Sequence, residues 1–186
     1  MEPQVNKEYS WVSYKYGNSS SLIKYNSDAR YGKDGFVDNK ATLDIEDDAA
    51  NVNWGGKWRM PTRIQQDELL GQCYWEWTDS YNNTNVAGKI VYKAKTGADK
   101  GKHSGTPSSS YSLSDAHVFL PAAGRYYKGV FEKAGYMGFC WSSSSYDDVY
   151  IAERVRNFNY SSGYAGDGFS GPRCAGISVR AVISGE

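Results

Sequence analysis

The chain of 186 residues is long enough to bury the core of one domain without support from a metal or disulfides. Its 21 basic residues balance its 21 acidic residues, which argues against the basic excess of a nucleic-acid-binding protein and against attraction to an anionic membrane. No apolar run reaches the length of a membrane span, and residues 1–11 lack the apolar core of a signal peptide. We therefore expect no nucleic-acid partner and no membrane insertion.

The chain begins with an N-terminal edge segment, residues 1–24, in which short alternating pieces predict edge strands and turns. Asp44 then opens a pattern that predicts a short amphipathic helix, with acidic residues in its first turn, ending at Gly55 and Gly56. Thr62 and Gln65 stand at capping-box spacing and predict a second helix over roughly residues 63–72. Its inward residues are expected to be Ile64, Leu69 and Leu70.

Apolar and alternating runs in the rest of the chain predict strands. They lie at residues 73–77, 89–94, 118–124, 149–158 and 176–182, the last expected to pair centrally in a sheet. Residues 96–114 are rich in Gly, Ser, Lys and Thr and predict a mobile surface loop without a phosphate-binding motif. Early helices followed by strands and long irregular stretches indicate one α+β domain.

The aromatic residues and the cysteines each allow a structural interpretation. The pairs Trp54/Trp58 and Trp75/Trp77 suggest a sugar-stacking platform, but packing within the framework is the favoured interpretation. Three cysteines cannot all pair within the chain, and their spacing fits no CxxC metal pattern. We expect free thiols, or one bridge and one thiol, among Cys73, Cys140 and Cys174.

Residues 142–172 have an unusual composition: four Tyr, seven Ser, four Gly, three Asp and two Asn. Tyr offers large, stiff contact area, while Ser, Gly and Asn offer adaptable hydrogen bonding, which is typical of recognition surfaces. The alternative is a polar loop region at the end of an ordinary β-rich domain.

Five short segments in a fixed order suggest a family. They are DDAA at 47–50, WGGKWRMPT at 54–62, FLPAAG at 119–124, WSSS at 141–144 and SVR at 178–180. Together they resemble the major-paralogous-domain proteins of gut bacteria and their phages. The resemblance covers roughly residues 25–183. It implies a C-type-lectin-like fold with two short helices, a mainly antiparallel sheet and long irregular loops.

Several proteins of that architecture are variable proteins of diversity-generating retroelements, in which copying errors at template adenines scatter Asn-type codons. Such codons yield Tyr, Ser, Asp, Gly and Arg, but not Lys, Gln, Glu, Met or Trp. All 13 Lys lie at or before Lys133 and all four Gln at or before Gln72, while Glu153 alone in the 142–172 window would be fixed by the template. The resemblance thus implies a variable ligand-binding region at residues 139–176; the alternative is that a short β-rich segment lacks Lys by chance.

The implied function is a non-catalytic binding module without cofactor or metal. Its partner would be a protein or glycan receptor, and the carrier would be extracellular, on a cell surface or on a phage virion. Arg154 and Arg156 are expected to share one strand face. The candidate ligand-binding residues are Tyr146, Asp147, Asp148, Tyr150, Arg154, Arg156, Asn157, Asn159, Tyr160, Tyr164, Asp167 and Phe169.

Two other functions stay open. Related sulfatase-modifying-factor proteins include copper-dependent formylglycine-generating oxidases, and residues 173–176, RCAG, resemble a segment of that group. A catalytic thiol needs a partner and a lowered pKa, and no second cysteine stands at a comparable spacing from Cys174. A structural surface or tip subunit is the other alternative. His103, His117 and the pair Asp147/Asp148 show no catalytic or calcium-binding pattern.

Overall fold

The computed structural model describes residues 9–145 and 154–183, and for residues 154–158 and 167–170 it describes the backbone alone. Within these ranges the chain is an α+β protein with two helices and twelve strands. The helices are α1 (Ala49–Trp54) and α2 (Arg63–Gln72). The strands are β1 (Gly17–Asn18), β2 (Ser21–Leu22), β3 (Trp58–Arg59), β4 (Cys73–Thr78), β5 (Gly88–Lys93), β6 (His117–Pro121), β7 (Arg125–Tyr127), β8 (Val130–Glu132), β9 (Gly138–Ser145), β10 (Arg154–Ser161), β11 (Tyr164–Pro172) and β12 (Val182–Ile183).

The strands form small antiparallel sheets. Two sheets have three strands each, in the orders β4-β5-β6 and β11-β10-β9, and the remaining strands pair as β1-β2, β3-β12 and β7-β8. The predicted α+β class with mainly antiparallel strands is therefore confirmed. None of the helices in the described ranges has the length and apolar character needed to cross a bilayer.

One apolar core joins the two larger sheets through helix α2. Its buried members are Leu70 of α2, Trp75, Val91 and Leu120 of the first sheet, and Cys140, Tyr160 and Ala165 of the second. Each buried Leu or Val side chain stabilises the fold by about 1.5–3 kcal/mol relative to an exposed one. The second sheet is thus part of the framework, because its inner side chains are fixed against those of the first.

Helix α1 ends at Gly55 as predicted, but it begins at Ala49 and not after Asp44, because residues 45–47 form a separate 3-10 turn and Asp48 caps the helix. The Asp48 carboxylate accepts hydrogen bonds from the backbone N–H groups of Ala50 (2.9 Å) and Asn51 (3.1 Å), which caps the helix. It also accepts from Met60 N–H at 2.8 Å and so ties the helix to the chain that follows it. Gly55, at φ +65°, ends the helix as predicted.

Helix α2 confirms the predicted capping box. Thr62 accepts from the Gln65 N–H, and the Gln65 side chain accepts from the Thr62 N–H. Leu70 is buried as expected, and Leu69 packs against the core. The prediction for Ile64 is wrong, because its side chain is 76% exposed in the first turn of the helix.

The loop at residues 96–114 is anchored by a buried carboxylate. Asp99 is fully buried and accepts hydrogen bonds from Ser108 N–H (2.6 Å) and from the Tyr111 hydroxyl (3.0 Å). Burial alone would raise the pKa of Asp99, but these hydrogen bonds outweigh it and lower the pKa to about 2. The expected free excursion is therefore wrong, since a core carboxylate holds the loop against the sheet.

The predicted strand at residues 176–182 is also wrong in extent. Only Val182 and Ile183 form β12, whereas Gly176 and Ser178 make isolated bridges to Tyr126 and Cys140. The residues alternate between apolar and polar as predicted, but their backbones pair with three different segments: Tyr126, Cys140 and strand β3. Because no single neighbour runs along the whole segment, it does not form one continuous strand.

A buried lysine connects strand β5 with two other segments. Lys89 is fully buried, and its Nζ donates hydrogen bonds to the carbonyl oxygens of His103 (2.6 Å) and Ser162 (3.2 Å). Burial lowers the pKa of Lys89 to about 8, and the nearby Glu76 carboxylate opposes the shift only in part. The folded state therefore releases this proton at a lower pH than the unfolded state.

Lys89→Met should remove a pH dependence of stability. Between about pH 8 and the ordinary lysine pKa of about 10.4, the unfolded chain binds the Lys89 proton and the folded chain does not, so stability rises with pH. Relative to Lys89→Met, the wild type should gain up to about 1.4 kcal/mol of unfolding free energy per pH unit above pH 8. Urea unfolding of both proteins from pH 7 to 9.5 measures this difference.

The wild type must be compared with the variant, because the titration of Cys140 lowers stability as pH rises, whereas that of Lys89 increases it. Burial raises the pKa of Cys140 to about 12, so its contribution to stability falls as pH rises above the ordinary thiol pKa, equally in both proteins. Lys93→Met, at the exposed end of the same strand, is the matched control for the loss of a lysine side chain. A stability difference between wild type and Lys89→Met that did not change with pH would refute the argument.

Candidate ligand-binding surface

Strand β9 enters the candidate region while tied to the framework. Gln66 Nε2 of helix α2 donates to the carbonyl oxygens of Cys140 (3.3 Å) and Trp141 (3.0 Å). The Ser143 N–H donates to the Pro61 carbonyl at 2.8 Å, and the Ser145 N–H donates to the Ala41 carbonyl at 2.7 Å. The backbone is therefore fixed up to Ser145, the residue just before the predicted contact positions begin.

The chain leaves the candidate region through a second set of ties. The Arg173 guanidinium donates to the carbonyl oxygens of Lys24 (3.3 Å) and Tyr25 (2.6 Å), in the segment that follows the N-terminal strands. Gly176 exchanges backbone hydrogen bonds with Tyr126 at 2.7 and 3.0 Å. Both ends of the candidate region are thus anchored to segments outside it.

Strands β10 and β11 form a hairpin between these two anchors. The pairing runs from Arg154 opposite Pro172 to Ser161 opposite Tyr164 at the hairpin tip, with an irregularity between Asn157 and Asn159. Tyr164 is 46% exposed at the tip. The hairpin therefore presents an aromatic side chain at the end remote from its anchored strand termini.

The twelve candidate residues fall into three groups. Tyr146, Asp147, Asp148 and Tyr150 lie outside the described residues. The backbone alone is described for Arg154, Arg156, Asn157, Asp167 and Phe169, which all lie in the β10–β11 hairpin, so the expected shared face of Arg154 and Arg156 stays a prediction. Side chains are described for Asn159, Tyr160 and Tyr164.

Of the three described side chains, only that of Tyr164 is exposed. Asn159 is 4% exposed and Tyr160 is 1% exposed, so the expectation that they lie on an outer face is wrong. The Tyr160 hydroxyl donates to the Pro121 carbonyl at 2.8 Å, and its ring lies 6.4 Å from that of Trp75. Burial raises the pKa of Tyr160 well above its ordinary value.

Gly138, a glycine inside strand β9, is the sequence feature that relates to the burial of Tyr160. Gly138 faces Tyr160 across strands β9 and β10, and a Cβ atom at Gly138 would overlap the tyrosine ring. A glycine inside a strand often marks such a close approach. The pairing of these two positions, however, is a tertiary fact that the order of residues does not reveal.

A cleft of about 410 Å³ lies beside the candidate region, and the sequence did not predict the residues that line it. Its lining includes Trp141 and Arg173, from the two anchored ends, and Tyr14 and Tyr16 from the N-terminal segment. Arg173 Nε is buried there without a hydrogen-bond partner among the described residues. The Tyr-rich start of the chain was the available signal, since Tyr is common at recognition surfaces.

The N-terminal wall of this cleft is held by Asp47. The Asp47 carboxylate accepts hydrogen bonds from the ammonium groups of Lys15 (2.9 Å) and Lys24 (2.5 Å), and from the hydroxyls of Tyr25 (2.6 Å) and Tyr16. Its side chain is 3% exposed. Burial alone would raise the pKa of Asp47, but the hydrogen bonds outweigh it and hold the pKa far below the ordinary range.

In the described ranges, Asp44, Glu46 and Asp47 bring carboxylate oxygens within 4.8 Å of one another. Such a group has the chemistry of a metal site. Lys24 Nζ already lies 2.7 Å from Asp44 and 2.5 Å from Asp47. Lys15 and Lys40 also pair with Asp47 and Asp44, so three ammonium groups balance the three carboxylates and the group works as an ion-pair cluster.

The cysteines and histidines make contacts within the fold that do not form a catalytic arrangement. No disulfide forms among Cys73, Cys140 and Cys174, in agreement with the expected free thiols. Burial raises the pKa of Cys140 to about 12, which suppresses the reactive thiolate. His103 bonds the Leu70 carbonyl through Nε2 (2.9 Å), and His117 contacts the Tyr81 hydroxyl (2.9 Å).

In comparisons with known proteins, no family model, no curated protein and no solved structure matched the chain.

Proposed function

We propose that the chain is a non-catalytic ligand-binding module of C-type-lectin-like architecture whose residues 139–176 are diversified by a retroelement. The observation that carries this proposal is the double anchoring of the candidate region: Gln66 and Pro61 hold its start, and Arg173 holds its end. Fixed ends allow the chain between them to change in sequence without a change in the framework. The Tyr- and Ser-rich composition and the loss of Lys after Lys133 support the same function.

The burial of Asn159 and Tyr160 redefines the contact surface. These two residues belong to the framework, so a diversified surface would include Tyr164 at the hairpin tip, the segment with Tyr146 to Tyr150, and outward positions of β10 and β11. Tyr and Arg side chains would supply most of the binding energy, as they do at the centres of interfaces. The partner is a protein or glycan receptor outside the cell.

Two libraries of variants test whether the surface tolerates change. The first randomises Tyr146, Asp147, Asp148, Tyr150 and Tyr164, and the second randomises Asn159 and Tyr160. We expect most members of the first library to resist protease as well as the wild type does, because the proposal assigns these positions to the surface, where substitutions usually change stability by less than about 0.5 kcal/mol. Most members of the second library should lose resistance, because its positions are buried. Equal sensitivity of both libraries would contradict the proposed separation of surface from framework.

The DNA around the gene tests the diversification itself. We expect a second copy of the coding stretch for residues 139–176, differing from the first only at adenines and lying beside a reverse-transcriptase gene. The codons for Asn159 and Tyr160 should vary less among related genes than those for Tyr146 and Tyr164. If the genomic neighbourhood contains no such copy, diversification by a retroelement is rejected. The proposal that residues 139–176 form an anchored binding surface is not affected by that result.

A further inference from the structure

The framework interpretation of Trp54 and Trp58 is wrong, because both indoles reach solvent. Trp54, the last residue of α1, is 59% exposed, and Trp58 in β3 is 39% exposed. Their ring centroids lie 5.9 Å apart with an interplanar angle of 66°. Two adjacent tryptophans at the surface leave a large apolar area in water, which usually marks a binding site.

Polar contacts to the backbone around the two tryptophans hold the segments that carry them in place. Asp48 caps α1 and accepts from Met60 N–H, so it fixes the helix that carries Trp54 relative to the strand that carries Trp58. Asn51 Nδ2 donates to the carbonyl oxygens of Gly56 (3.2 Å) and Trp58 (3.0 Å). The backbone that carries the two indoles is therefore preorganised, which reduces the entropy that a ligand must offset.

The indoles form one wall of a cleft of about 490 Å³ whose other wall is the segment Val179 to Ala181. Arg180 is the charged residue in this lining, and among the described residues it has no ion-pair partner. A volume of a few hundred cubic ångströms is typical of sites for small ligands. A stable protein interface needs roughly 20–30 residues a side, far more than the five that line this cleft.

We propose that this cleft binds a saccharide that carries a carboxylate. The non-parallel indoles at 66° cannot sandwich a flat ring, but they line a bent surface that fits the apolar face of a puckered sugar. The Arg180 guanidinium supplies two parallel donors for a carboxylate and repels a cationic ligand. This site is separate from residues 142–172 and does not depend on their diversification.

A glycan array tests the proposal, with oligosaccharides that contain uronic or sialic acid printed beside neutral oligosaccharides of the same length. We expect the wild type to bind acidic members more tightly than their neutral counterparts. Trp54→Ala should weaken that binding by about tenfold or more, because exposed aromatic anchors dominate such sites. Arg180→Gln should abolish the preference for acidic members while weaker binding to neutral sugars remains.

The matched control is Tyr136→Ala, which removes an equally prominent aromatic side chain, 76% exposed, from a different part of the chain. It should leave the array profile unchanged, and all variants should keep the wild-type Tm. The proposal is overturned by a wild type that binds no acidic glycan or by a Trp54→Ala variant that binds as well as the wild type. The proposal is also overturned if the wild type self-associates and Trp54→Ala abolishes this association. The two tryptophans would then form an interface with a second copy of the chain. The surface-library variants should keep glycan binding, so this site and the proposed diversified surface can fail separately.

Discussion

Tyr160→Ala is expected to lower the free energy of unfolding by about 3–5 kcal/mol, the range for truncation of a large buried aromatic side chain. Tyr160 is 1% exposed and packs in the core that joins the two larger sheets. Truncation would leave a cavity beside Trp75 and Gly138 and would leave the Pro121 carbonyl without its donor. Urea unfolding at pH 7 measures the loss.

Two further variants separate the causes of this loss. Tyr160→Phe keeps the ring and removes the hydroxyl, which donates to Pro121 and hydrogen-bonds with the Cys140 side chain, so it should cost about 1 kcal/mol. Tyr164→Ala, at the exposed hairpin tip, should cost less than about 0.5 kcal/mol. If Tyr160→Ala proved as harmless as Tyr164→Ala, the inner face of the second sheet would not be part of the core.

Asp47→Ala is expected to lower the free energy of unfolding by about 2–3 kcal/mol, because it removes a buried charged acceptor of several hydrogen bonds, while Lys24 keeps its contact with Asp44 at 2.7 Å. Lys24, with a side chain 20% exposed, would lose its closest carboxylate, and the hydroxyls of Tyr16 and Tyr25 would lose their acceptor. Urea unfolding at neutral pH checks this magnitude. Glu46→Ala is the matched control: its carboxylate lies 3.7 Å from the same lysine but is 69% exposed, so the loss should be small.

The contribution of Asp47 should disappear in acid. The folded pKa of Asp47 lies far below its unfolded value, so its stabilising effect is fully present above the ordinary aspartate pKa of about 3.9 and is lost as the pH falls below it. The stability difference between wild type and Asp47→Ala should therefore shrink from pH 6 to pH 2. A difference that stayed constant over this range would show that packing, and not charge, accounts for the effect.

The Asp47 cluster also has a consequence for the candidate surface. Tyr14 and Tyr16 line the cleft that reaches Trp141 and Arg173, and Tyr16 is held by Asp47. Loss of the carboxylate should loosen the N-terminal wall and expose Arg173 from that side. Hydrogen exchange at residues 9–25 should therefore accelerate in Asp47→Ala, with less change in the sheet β4-β5-β6.

Local features of the fold were predictable from the sequence because the interactions that create them are local. The capping box of Thr62 and Gln65 spans three residues, and the end of α1 depends on the positive φ of Gly55. Alternating and apolar runs likewise indicated strands β5 and β6 and the α+β class. Ile64 was assigned wrongly, because which face of a helix is buried depends on what packs against it.

The sequence by itself determined helix α2 with its capping box, the end of α1, strands such as β5 and β6, and the unusual composition of residues 142–172. Only the tertiary structure decided which tyrosine is framework and which is surface: Tyr160 and Tyr164 are four residues apart and chemically identical, but Gly138 and Trp75 enclose only the first. It likewise decided that Trp75 is buried while Trp54 and Trp58 reach solvent. The physical reason is that burial is a property of long-range packing, and contacts between residues far apart in the chain leave no periodic pattern around either one.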